Sequence, residues 1–317
     1  MTSARIKEHF TNLTDPRRGE PTHPLINIVT IAVCAVICGA DDFVAIAAFG
    51  TKKKEWFARF LDLSEGIPSH DCFNRVLGAI LPAEFEKCLL SWITTLHEIT
   101  DGQIIAVDGK TLRGSFDKAT SKAAIHMVSA WATVNHVSLG QVVTDEKSNE
   151  ITAIPKLLGM LEISGAIVTI DAMGCQTKIA EKIVKGKAVY CLAVKGNQPT
   201  LQAFLIAFFS RRLENDFKDT SVRRHETREG GRDWETHRCY YLCPVPKDLP
   251  GRKRWKGLKA IGVVMSCTRR NGVNHTEIRY YIVSRYLSSR RFAEAVRGHW
   301  GVENNLHWQL DVTFGED

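Results

Sequence analysis

The chain has 317 residues, enough for two average domains or one large domain with an insertion. Hydrophobic residues make up 44% and charged residues 24%, ordinary values that exclude a disordered, collagenous or coiled-coil chain. Lysine and arginine together number 42 against 35 acids, a formal charge of +7 that is compatible with a nucleic-acid partner without establishing one.

The start, MTSARIKEHF, is polar and lacks a signal-peptide core, and the nine cysteines are an odd number. Free thiols in a reducing cytoplasm are the simplest reading. Cys34/Cys38 and Cys239/Cys243 each leave three residues between them, with no further Cys or His pair at zinc spacing nearby, so no structural zinc is expected. The longest apolar run, Leu25 to Ala40, has 16 residues, holds Asn27 and Thr30, and ends at Asp41 and Asp42. A bilayer span needs about 20 residues, so this run predicts a buried core helix. Helical character continues from Asp42 to Phe60. Gly66-Ile67-Pro68 marks a turn, and Ser69 is a good N-cap for a helix from His70 to about Ile80. A short helix, a tight turn and a second helix carrying His70, Asn74 and Arg75 fit either a helix-turn-helix DNA reader or an ordinary helical hairpin. A further helix is expected from Ala83 to His97. The first 100 residues thus read as a helical N-terminal domain.

The texture changes at residue 103. QIIAVDGK is a buried β-branched run ending in Asp108, and AAIHMVSAWATVNHVSLGQVV predicts two strands around a turn near Thr133 to Asn135. Thr152 to Leu161 reads as a helix with Pro155 in its first turn. AIVTIDAMG is a second buried strand ending in Asp171, Gln176 to Lys185 a helix, and KAVYCLAVKGNQ a third buried strand. The segment 101–317 is therefore α/β, a mixed sheet covered by helices. Residues from about 220 to 285 are arginine-rich and read as a β-rich insertion with a hairpin at Asn271-Gly272. A helix is expected from Ser289 to Leu310.

Three acids stand where the local pattern predicts burial. Asp108 and Asp171 end buried strands, the edge at which sheets of this type bind ligands. Phe292, Val296, His299, Glu303, Leu306 and Leu310 are spaced 4, 3, 4, 3 and 4 apart, which places Glu303 on a mostly apolar helix face. Each acid alone fits a strand-end turn or a surface charge. Together they suit a hard cation, Mg²⁺ or Mn²⁺, and two such ions about 3.5–4 Å apart serve in-line attack on a phosphodiester.

DGKTLRGS around Asp108, KSNEITAIPKLL from Lys147, VTIDAMGCQTKIA around Asp171, LAVKGNQ around Lys195 and the terminal HWGVENNLHWQLDVTFGED resemble the H-repeat-associated transposases of Rhs elements, insertion-sequence transposases of the DDE type. HFTNLTDPRRGEPTHPL and GIPSHDCFNRVL resemble that family's helical accessory domain. The resemblance implies a ribonuclease-H-like catalytic core with a β-rich insertion and two-metal DNA cleavage and strand transfer. It also implies a bacterial cytoplasmic setting and a homodimer acting on double-stranded transposon ends and target. Asp108, Asp171 and Glu303 match the catalytic, metal-holding triad, with separations of 171 − 108 = 63 and 303 − 171 = 132 residues.

Around the triad, Lys110, Arg113 and Lys195 are candidate phosphate contacts. Arg297, His299, Asn304 and His307 are candidates to bind DNA or orient Glu303, and Asp311 is a reserve ligand. Trp300 and Trp308 suit base stacking or core packing. Family members continue beyond the point where this chain stops, at Asp317, so a shortened copy is an expectation. The alternatives to an active transposase are a catalytically inactive DNA-binding remnant and a ribonuclease-H-like nuclease that does not join strands.

Overall fold

The computed structural model describes residues 6–96, 103–116, 124–134, 136–144, 149–232 and 234–313. The chain divides into two compact units, Met1–Glu98 and Ile99–Asp317.

The first unit is helical: α1 (Ile6–Phe10), α2 (Leu25–Ile37), α3 (Phe43–Lys52), α4 (Lys54–Phe57), α5 (His70–Ala79) and α6 (Pro82–Leu96). The apolar run forms α2, whose Ile28, Ile31 and Ala35 pack against Phe57, Phe73 and Val76. Its buried Asn27 donates its amide to the Asp62 carbonyl, so the polar group is not stranded in the core. No helix among the described residues is long and apolar enough to cross a membrane. The Asp42 carboxylate caps α3 by accepting from the Ala45 amide, and the Ser69 hydroxyl caps α5 by accepting from the Cys72 amide. The Gly/Pro turn before α5 does not join two helices tightly, because the connection from α4 to α5 runs from Ala58 to Ser69, far longer than the roughly 3–4-residue turn of a helix-turn-helix. His70, Asn74 and Arg75 are exposed on α5. The end of the predicted helix at His97 and the boundary near residue 100 lie outside the described residues.

The second unit is mixed α/β around one nine-stranded sheet. Its strands are β1 (Ile104–Leu112), β2 (Ile125–Ala132), β3 (Val137–Val143), β4 (Ile167–Ile170), β5 (Val189–Val194), β6 (Arg223–Gly230), β7 (Trp234–Pro244), β8 (Ala260–Arg270) and β9 (Val273–Val283). They lie in the order β3-β2-β1-β4-β5-β9-β8-β7-β6. β1, β4 and β5 are parallel, β2 and β3 run antiparallel to their neighbours, and β9 adds antiparallel to β5. β6 to β9 thus form an antiparallel meander that lengthens the same sheet, and Asn271 and Gly272 both take positive φ in the β8–β9 turn.

Helices α7 (Glu150–Met160), α8 (Thr177–Lys185), α9 (Pro199–Glu214) and α10 (Ser289–Gly301) accompany the sheet. α7 begins two residues earlier than expected, so Pro155 lies inside the helix rather than in its first turn. An interior proline costs about 3 kcal/mol. Burial of Ala153, Ile154, Leu157 and Leu158 opposes that cost. α10 packs Phe292 and Val296 into a core with Ile104, Ile167, Tyr240 and Val264. A Cβ at Gly262 of β8 would stand 2.5 Å from the Phe292 ring, so glycine is what lets helix and strand approach. The terminal helix is not uniformly α: α10 runs into a π-helical turn, Val302–His307, and then α11 (Trp308–Val312).

Candidate functional site

Asp108 is not at the end of its strand. β1 continues to Leu112 because β2 pairs with it as far as Leu112↔Ile125. The parallel β1–β4 ladder, however, stops at Val107↔Ile170, so the next residue is an aspartate in both cases, Asp108 within β1 and Asp171 just after β4. Register alone therefore sets the two acids side by side where β4 ends. Asp171 is held by a tight turn in which the Gly174 amide donates to its Oδ1 at 3.2 Å. The loops after β4 and β5 are tied together: the Asn197 amide donates to the Ala172 carbonyl and the Gln198 amide to the Cys175 carbonyl.

Glu303 arrives from the other side. Its α-helical spacing predicts a core-facing position, but the π turn places an extra residue in the winding. Val302 is fully buried and Glu303 is exposed. A π turn inside an α-helix frequently marks a functional position. Asp108, Asp171 and Glu303 line one pocket of about 190 Å³, together with Thr169, Lys195, Gln202, Glu277, Arg279, His299 and Trp300. The three acids surround the pocket without collapsing on one another, since their carboxylate oxygens do not all lie within 4.8 Å.

Burial, then the charges of Asp171, Glu303 and Glu150, push the Asp108 carboxyl up to about 7, opposed by the Gly109 amide. Glu303 is also raised, first by the partial burial it retains although more than a third of it reaches solvent, and then by Asp171; Arg279 and Lys195 oppose the shift. His299 accompanies them as a neutral ring, pushed down to about 4 by burial, with Nδ1 3.3 Å from the Thr169 hydroxyl. His307 is likewise lowered to about 4 by burial and by Lys110, and its Nδ1 stands 3.9 Å from Asp108 Oδ2.

Residues 99–317 match the family model described as Transposase DDE domain, and residues 7–93 match the model described as DDE_Tnp_1-associated. The chain belongs to the DDE transposase family. It is 43% identical over 321 residues to "Putative transposase YncI" of Escherichia coli O157:H7, covering all of this chain and 82% of that relative. It is 41% identical over 324 residues to "H repeat-associated putative transposase YhhI" of Escherichia coli strain K12, covering all of this chain and 85% of the relative. "Inactive transposase YbfQ" of strain K12 is 32% identical over 79 residues, 25% of this chain and 94% of the relative. Enzymes of the DDE transposase family act on DNA by cleaving it.

The remaining expected residues of this transposase divide by position. Lys195 and His299 line the acid pocket. Lys110 is paired with Asp311 at 2.5 Å, both outside the pocket lining, so each occupies the other. Arg297 and Arg238 share the Glu229 carboxylate at 2.8 and 3.0 Å, a tie from α10 to the β6–β7 hairpin. Arg113 is exposed in a 3₁₀ turn after β1, and Asn304 and Trp308 are exposed. Trp300 lies in the lining under the Arg279 guanidinium, 4.1 Å from the ring centre.

Sequence reasoning missed Arg279 and Glu277, joined to each other at 2.7 Å on β9, and Gln202 on α9. It also missed Glu150, which bonds the His126 ring at 2.9 Å and fills the space above Gly109. The motif KSNEITAIPKLL contains this acid, but only the fold shows that it leans over β1.

Proposed function

We propose that this chain is a DNA transposase whose second unit is a ribonuclease-H-like core using Asp108, Asp171 and Glu303 for two-metal cleavage and strand transfer. The observation that carries this reading is the placement of Asp108 and Asp171 one step beyond the last β1–β4 pair, in the same pocket as Glu303. The order β3-β2-β1-β4-β5 with β2 antiparallel supports the core assignment. The first unit, at 1–98, serves as the helical accessory domain, with α5 offering an exposed polar face to DNA.

The donor set fits a hard divalent cation. Asp108 is driven toward protonation first by burial and then by its acidic neighbours, and a cation among them relieves both. Mg²⁺ or Mn²⁺ held by Asp108, Asp171 and Glu303 would supply charge stabilisation at the phosphodiester and a more acidic nucleophile. The chain's own groups do the rest. Lys195 offers a cation to a phosphate at the pocket mouth. Arg279, fixed by Glu277 and Trp300, balances the Glu303 charge. Neutral His299 holds Thr169 without adding positive charge that would compete for the acids. Two copies acting on paired double-stranded ends complete the reading, as the family implies.

The test is nicking of a supercoiled plasmid in Mn²⁺ or Mg²⁺, followed by joining of a 3′-hydroxyl oligonucleotide to that plasmid. Divalent-dependent nicking and joining that vanish in Asp108→Ala, Asp171→Ala and Glu303→Ala are expected. Nicking without joining would reduce the function to that of a nuclease. Salt-sensitive binding with no nicking at all would leave an inactive DNA-binding remnant.

A further inference from the structure

Outside the acid pocket, a second group of ligating side chains lies on the β6–β7 hairpin. Glu226 of β6 pairs directly across the ladder with Cys239 of β7, and His237 is two residues away on the same strand. The period of two puts all three on one face. Their donor atoms lie within 4.8 Å of one another: His237 Nε2 is 3.1 Å from Glu226 Oε2 and 3.8 Å from Cys239 Sγ. The same imidazole nitrogen therefore faces both partners.

This face is turned away from α10. The alternate residues Tyr240 and Arg238 point to the α10 side, Tyr240 edge-on to the Phe292 ring and Arg238 on the Glu229 that Arg297 also holds. Tyr241, in phase with Cys239, stacks instead on Phe217. The cluster is thus separate from the acid pocket, and none of its residues lines that pocket.

We propose that Glu226, His237 and Cys239 form a binding site for a thiophilic divalent cation, Zn²⁺ by donor chemistry, which pins edge strand β6 to β7. A tetrahedral zinc with bonds of about 2.0–2.3 Å holds its donors roughly 3.3–3.8 Å apart, so the two observed separations already approximate that spacing. One thiolate, one imidazole and one carboxylate is a set that favours zinc over magnesium. Binding takes the Cys239 proton to solvent, leaves the ring proton of His237 on Nδ1 and uses the lone pair of Nε2. The fourth position is left to water. Cys267 of β8 stands directly across from His237 in the register, but its sulfur is not among the three clustered donors.

Linear spacing could not reveal this site. Cys239 looks to Cys243 in the sequence, yet Cys243 is buried and the partners come from the neighbouring strand and from two residues upstream.

The experiment is titration of the metal-free full-length protein with Co²⁺, reading the near-ultraviolet thiolate-to-cobalt charge-transfer band, then displacement by Zn²⁺. Oxygen ligands in the acid pocket give no such band, so the two sites are distinguished. One equivalent of thiolate-bound cobalt is expected in the wild type and in Cys267→Ser. The band should vanish in Cys239→Ser, and affinity should fall by an order of magnitude or more in His237→Gln and Glu226→Gln. These side chains are exposed or half-buried, and circular dichroism melting confirms that each variant is folded. In parallel, zinc should slow alkylation of Cys239, read by peptide mapping, without slowing that of Cys38. No thiolate band in the folded wild type, or a band that survives Cys239→Ser or is lost only in Cys267→Ser, would overturn the proposal.

Discussion

Asp108→Asn should stabilise the metal-free protein, and the gain should depend on pH. In the folded chain the Asp108 carboxyl is raised from 3.8 to about 7, first by burial and next by the Asp171 charge. For an acid raised by folding, the native state holds the extra proton between the two values, so stability falls as pH rises through that window and the full cost is present above about 7. At about 1.4 kcal/mol per pH unit the ceiling is about 4 kcal/mol, and with relaxation and water penetration about 2–4 kcal/mol is realistic. Asparagine keeps the shape and removes the charge. In a unit of this size each kcal/mol moves the midpoint by roughly 2–4 °C, so a gain of roughly 5–15 °C is expected at pH 8 in EDTA. Near pH 4 the two proteins should melt together. Thermal unfolding followed by circular dichroism across pH 4 to 8 checks this, reading the transition of the second unit. Added Mn²⁺ should raise the midpoint of the wild type more than that of Asp108→Asn, because only the wild type keeps the full donor set. A gain that is the same at every pH, or absent at pH 8, would refute the claim that burial and neighbouring charge raise this carboxyl.

Phe292→Ala should cost about 3–5 kcal/mol, because the ring is fully buried between α10 and the sheet; chemical denaturation measures it. Gly109→Ala should cost about 0.5–1.5 kcal/mol, since its Cβ would stand 2.1 Å from the Glu150 carboxylate, which must swing aside and give up His126. The double variant Gly109→Ala/Glu150→Ala should recover part of that loss in the same denaturation assay. Lys195→Ala should lower the salt dependence of DNA binding by about one in the logarithmic slope, measured by fluorescence anisotropy at several salt concentrations, if Lys195 meets a phosphate.

The acids on the strands were legible in the sequence because a lone carboxylate closing a buried β-branched run is costly unless a partner or a cation meets it. Their adjacency was not, since it depends on the register Val107↔Ile170, which no local pattern specifies. The helix bearing Glu303 was legible from its period, but the period assumed uniform α winding, and the π turn exchanges Val302 for Glu303 at the buried position. α9 went unread, although Pro199 at its first position is a recognised start signal. Arg279 and Glu277 were hidden because they belong to the β-rich segment, whose attachment to β5 is a long-range pairing. His237, Cys239 and Glu226 illustrate the same limit, since a site built across a ladder leaves no linear spacing.

The attachment of β9 to β5 has a mechanical consequence. From Leu192↔Ile282 outward, the inserted strands share one continuous hydrogen-bonded ladder with the strands that carry the two aspartates, and Arg279 rides on the joining strand. The segment 223–283 is therefore a lever rigidly keyed to the site rather than a tethered appendage. Because Arg297 of α10 holds Glu229 of β6, the lever also grips the helix that leads to Glu303, so excision of the segment would release that helix as well as strip β5 of a neighbour.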